Sequence, residues 1–134
     1  MRRFILAEIK KPREKGLDTD VEWMCECLGI VTPRDRDKTS TKILMVMLRA
    51  AKEDEGLSSD DIASKVGVTR GTVVHHIKRY MSSGVVVKHH TTYELRTHSL
   101  RDTLNEIEMD MERAIRRMKQ IAHEIDDEVG LRER

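Results

Sequence analysis

The chain has 134 residues, of which 37 % are charged and 38 % apolar, with one Trp, two Tyr and one Phe. That core material supports one small domain, or one with an added helix, and the long amphipathic segments call for burial by dimerisation. Two cysteines, Cys25 and Cys27, exclude a secreted-type disulfide framework, and no run approaches the roughly 20 apolar residues of a membrane span. The net charge of +1 says little, but its distribution is uneven: +4 over residues 1–16, −3 over 17–56, +3 over 57–98 and −4 over 99–129. Local basic patches beside an acidic rod fit a surface that meets phosphates with one part only.

Residues 1–38 read as a basic segment followed by a short helix. Phe4, Ile5, Leu6 and Ile9 fit one helical turn or a short strand, and Phe4 to Ala7 is too short for a signal-peptide core, so a cytoplasmic protein is expected. A weak helix is expected over Asp20 to Leu28, with Thr19 and Glu22 as a capping box and Gly29 as its stop. "TPRDRDKTS" (residues 32–40) is a charged linker broken by Pro33.

Residues 39–97 form the next unit. A helix from Thr41 to Glu55 takes Ser40 or Thr39 as its cap and Gly56 as its stop, with Ile43, Leu44, Met47, Leu48 and Ala51 on one face. Ser58 or Ser59 caps a second helix that ends at Gly67, with Asp60 and Asp61 in its first turn. Thr69 caps a third, which runs to Met81 or Ser82 and closes at Gly84. Val85 to Lys88 and Thr92 to Arg96 are then short strands around a polar turn.

Three helices and a hairpin in this order make a winged helix-turn-helix. Ala63 is small where the helices cross, Gly67 lets the chain turn sharply, Val68 plugs the turn, and Val73, Ile77 and Tyr80 or Met81 anchor the last helix. "IASKVGVTRGTVVHHIKRYMSSGVVV" resembles the helix-turn-helix of ArsR-type and related archaeal winged-helix transcription regulators. The likeness lies in the small residue, the turn glycine, the Ser/Thr-rich helix start, the His76-Ile77 pair and the "SSGVV" exit. It covers residues 41–96 and implies DNA binding by a dimer joined through terminal helices.

The residues themselves point the same way. Arg70, Thr72, His75, Lys78 and Arg79 form an outer helix face that carries no acid of its own, and Gly71 lets backbone approach a groove wall. A major groove admits one helix and is read mostly by its N-terminal residues. Helix 69–82, capped by Thr69, is therefore expected in the major groove. Arg70, Thr72 and His75 fall on base edges or their nearest phosphates, and Lys78 and Arg79 on the backbone. Lys88, His89 and His90 of wing 85–96 reach flanking DNA. The competing reading is a winged-helix protein-interaction module; a third, an abundant chromatin protein, calls for a more basic surface.

Residues 98–134 hold a helix from Ser99 to Glu128 without Gly or Pro. Leu100, Leu104, Ile107, Met111, Ala114, Met118, Ile121 and Ile125 repeat at alternating four- and three-residue steps, a coiled-coil-like seam for homodimerisation. With Leu104 at heptad position a, the e and g positions (Glu108, Ile115, Ala122; Asp110, Arg117, Glu124) offer no opposite charges to a parallel pair, and Ile115 and Ala122 widen the stripe. A bundle that includes the segment around Val21, Met24 and Leu28 accounts for both facts. Two recognition helices would then face half-sites about 34–36 Å apart.

Cys25 and Cys27 point about 200° apart on a helix and lie outside the winged helix, a poor arrangement for one ion; a metal- or redox-responsive regulator is the alternative they leave open. No nucleophile–base grouping and no phosphate-cradling glycine loop is visible, so neither catalysis, a cofactor nor a small-molecule substrate is expected. The expectation is mainly α with a small β-hairpin wing: a homodimeric winged helix-turn-helix repressor of double-stranded DNA with a long C-terminal dimerisation helix.

Overall fold

The computed structural model describes residues 2–31 and 38–132, and residues 32–37 of the expected linker lie outside them. In chain order the elements are α1 (Leu17–Cys27), α2 (Thr39–Lys52), α3 (Ser59–Val66), α4 (Arg70–Ser83), β1 (Val86–His89), β2 (Thr92–Leu95) and α5 (Leu100–Val129). This is the mainly helical fold with a hairpin wing and a long last helix.

Local chemistry places the helix starts in the central unit. The Ser58 hydroxyl accepts from the Asp61 N–H at 3.0 Å while the Asp61 carboxylate accepts from the Ser58 N–H at 3.1 Å, a complete capping box. The Ser58 N–H is also the main reason the Asp61 carboxyl lies below its usual range. Thr69 and Ser99 cap α4 and α5 in the same way, accepting from the N–H of Thr72 and of Asp102. Gly67 ends α3 at φ 82°, a left-handed conformation that a side chain would strain.

Two other starts differ from expectation. α1 begins at Leu17, with Gly16 at its cap and no side-chain bond, so Thr19 already sits in the first turn and the Thr19–Glu22 box does not form. α2 begins at Thr39 and stops at Lys52, short of Glu55 and Gly56, and Lys38 stands at its cap in the left-handed region. Ser40 does not cap it. Its hydroxyl donates at 3.0 Å to the buried Tyr80 hydroxyl, which in turn donates to the Ser40 carbonyl at 2.6 Å. The Cys25 thiol lies 3.5 Å from the same hydroxyl, so Tyr80 joins α1, α2 and α4 at one point.

Around that point Ile43, Leu44 and Met47 of α2 pack with Ile62 of α3 and Val73 and Ile77 of α4, all essentially inaccessible to water. Leu48, Ala51 and Val68 pack at the margin. The wing pairs Val86 with Leu95 and His89 with Thr92. It starts one residue later than expected because the Val85 N–H bonds back to the Tyr80 carbonyl, and Leu57 bridges to Tyr93.

The N-terminal residues form neither the turn of helix nor the strand expected of them. They run as an extended arm held by the Arg3 N–H on the Ser82 carbonyl (3.0 Å), the Ala7 N–H on the Cys27 carbonyl (2.9 Å) and the Trp23 indole N–H on the Ile9 carbonyl (2.9 Å).

The last helix divides in two. Ile107 is buried in the chain's own core, and Leu100, Leu104 and Met111 pack against it. Ile107, expected in the dimerisation seam, is covered by the domain itself in the single chain. Beyond Ala114 the same seam stands open: Met118, Ile121 and Ile125 are all more than half exposed. An ion cluster fixes the junction. Arg96 donates to Asp110 at 2.7 Å and pairs with Glu106 at 3.0 Å, while Arg2 and Arg113 also reach Asp110. The Arg96 guanidinium, with Arg2 and Arg113, holds the Asp110 carboxyl below the usual carboxylate range against the opposing effect of burial.

Candidate nucleic-acid interface

α4 buries Val73, Ile77 and Tyr80, and that choice of inward face turns Arg70, Gly71, His75, Lys78 and Arg79 outward. The expected reading face is therefore assembled on one side of the helix, with Thr72 half-buried at its edge. The Thr69 and Thr72 hydroxyls lie 2.9 Å apart and complete the cap, so their first duty is to the helix start.

Arg70 is less free than its position alone implies. Its Nε donates to the Ser59 hydroxyl at 3.2 Å and lies 3.9 Å from the Asp60 carboxylate. The face has no acid on α4 itself, but α3 brings one beside it. His75 meets His76 edge-on, with ring centroids 5.5 Å apart.

Nothing among the described residues accounts for Gly71. A Cβ built there meets no atom within 4 Å, and its φ lies outside the left-handed range. Glycine in a helix costs about 1 kcal/mol relative to alanine. That cost, with no compensating contact among the described residues, fits a position kept bare for something that approaches the helix from outside.

The wing carries Lys88, His89 and His90 at its exposed end, partly engaged with the hairpin. Lys88 lies over the Tyr93 ring, 5.6 Å from its centroid, and His89 Nε2 sits 2.8 Å from a Glu94 carboxylate oxygen. His90 turns the tip at φ 55°.

Two residues absent from the expected site join it. Arg3 borders a hollow of about 310 Å³ shared with His75, Lys78 and Arg79, and Arg2 borders one of about 550 Å³ with Lys78 and Lys88 in the crease between α4 and β1. The arm so brings Arg3 beside the outer face of α4, and Arg2, itself paired with Asp110, beside Lys78 and Lys88. The +4 charge of residues 1–16 was the available signal; where the arm would lie was not, because two backbone bonds and one indole hold it.

The two cysteines differ in exposure. Cys25 is fully buried at Tyr80 and Cys27 is half-buried. Among the described residues no group of three or more His, Cys, Asp or Glu could hold a metal ion, and no helix is long and apolar enough to cross a membrane.

Residues 36–87 match the family of winged helix-turn-helix DNA-binding domains. The matched segment takes in α2, α3, α4 and the start of β1, the elements that build the face just described, and the likeness implies DNA as its partner. No curated protein and no solved structure matches the chain.

Proposed function

We propose that the protein is a sequence-specific transcriptional regulator that works as a homodimer and represses by occupying promoter or operator DNA. The observation that carries this reading is the outer face of α4: cationic side chains around a glycine that the fold itself does not need. In this reading residues 39–97 bind DNA. Arg70 and His75 reach base edges, Lys78 and Arg79 hold phosphates, and Lys88, His89 and His90 touch the flanking duplex.

The distal half of α5 supports the homodimer in this reading. A helix of about 45 Å whose outer half leaves Met118, Ile121 and Ile125 in water calls for a partner, and a two-fold pair of recognition helices suits a palindromic site. A binding role, not a catalytic one, accounts for the arrangement.

The test is fluorescence-anisotropy binding to the chain's own upstream DNA across a salt series. Tight binding whose log affinity falls with log salt at about −0.9 per phosphate contacted is expected, and Lys78→Ala/Arg79→Ala lowers that slope by about 2. Affinity indifferent to both sequence and salt would instead assign the face to a protein partner.

A further inference from the structure

Heptad geometry leaves two ways for two copies of α5 to pair, and the outer half of the helix distinguishes them. A parallel in-register pair sets position g against e of the next heptad: Arg117 meets the partner's Ala122, and Glu124 meets the partner's Val129. No charge is matched. Worse, the basic block Arg113, Arg116, Arg117 and Lys119 lies beside its own copy, and the acidic block Glu124 to Glu128 does the same.

We infer that the exposed halves pair antiparallel, about a two-fold axis between Lys119 and Gln120; this rests on the homodimer proposed above. In that register Met118 packs on the partner's Ile121 and Ala114 on the partner's Ile125. Arg117 faces the partner's Glu124, twice by symmetry. Ile115 faces the partner's Ala122, which accounts for the apolar e positions that widen the stripe. The basic stretch 113–119 of each copy then lies opposite residues 120–126 of the other, which include Glu124 and Asp126.

The chain's own packing supports the same register. It ends the overlap at Met111, where the seam begins to be covered from within the domain. There the partner's Glu128, a charge at a seam position, closes the apolar run. The partner's Val129 and Leu131, both largely exposed in the single chain although neither lies on the seam, arrive at the groove formed by Leu6, Leu28, Leu104 and Met111. That groove holds about 550 Å³ and is lined mainly by carbon, so the arm and α1 complete a shallow bundle around the partner's tail.

Residues 117 and 124 are seven apart, too far to pair within one helix. Arg117→Glu and Glu124→Arg each place favourable charges within three or four residues on their own helix, so neither weakens the monomer. Sedimentation equilibrium of the full chain is the test. Each single variant should weaken the dimer about tenfold, attraction at two sites becoming repulsion. The Arg117→Glu/Glu124→Arg double variant, or an equimolar mixture of the two single variants, should recover it. A monomeric wild type would overturn the homodimer itself. A dimeric wild type whose single variants keep its affinity, or whose mixture shows no recovery, would overturn the antiparallel register alone.

Discussion

The two halves of α5 share one periodicity and have opposite fates. From Leu100 to Met111 the apolar positions enter the domain's own core, with Thr103 and Ile107 buried and Asp110 clamped by Arg96. From Ala114 to Val129 the same repeat faces water. A heptad stripe states that a helix needs covering. It does not state by what, and here the chain's own core takes the first half while the second is exposed.

The sharpest way to break this comparison is to truncate one residue in each half. Ile107→Ala should cost about 3 kcal/mol in urea unfolding, the loss of a buried aliphatic plus its cavity. Ile121→Ala should leave the unfolding of dilute, monomeric protein nearly unchanged. Equal costs in both would mean that the distal half is packed within the chain.

A somewhat smaller effect is expected from Arg96→Ala, about 2 kcal/mol, because Asp110 keeps Arg2 and Arg113 but loses its principal hydrogen bond. The acid limb of stability probes the same clamp. The carboxyl of Asp110 has a folded pKa below its unfolded one, so its contribution is present above the ordinary carboxylate range. That contribution is lost as the pH falls through the depressed folded value. Asp110→Asn should flatten this limb in a urea-midpoint series between about pH 5 and pH 2; a limb as steep as the wild type's would assign it to other carboxylates.

The smallest effect has two signs. Gly71→Ala should stabilise the fold by about 0.5–1 kcal/mol, since the added methyl meets nothing and alanine favours the helix. It should at the same time weaken DNA binding measured by anisotropy. A variant that gains stability and keeps its affinity would show that DNA does not approach the helix there.

What could be read from the sequence follows the range of the interactions involved. The cap at Thr69 is made within three residues and was legible, as was the αL turn at Gly67; Ser58 was one of two candidates, and Ser99, expected as the first residue of the last helix, is its cap. The start of α2 was not, because Ser40 answers to Tyr80 forty residues away. Asp110 looked like a solvated flank of a coil, and only the fold brings Arg96 to it. The outward row of α4 was visible from the periodicity of Val73, Ile77 and Tyr80. The acid beside Arg70 and the arm beside Lys78 were not, since both come from other elements.

Gly84 gives this architecture a mechanical character. A Cβ there would come within 2.5 Å of Arg2 Nη1 and 3.3 Å of Arg96 Nη1, so the exit of α4, the arm and the anchor of α5 meet at this residue through two guanidinium tips laid against its bare backbone. Beside it the Arg96–Asp110 pair ties the first half of α5 to the end of the wing. Two chains so tied and joined at their last helices, as proposed above, would offer their α4 helices at a preferred spacing and phase. Half-sites moved apart by one base pair, about 3.4 Å and a tenth of a turn, would have to be accommodated by bending the DNA, whose stiffness would then set the tolerance.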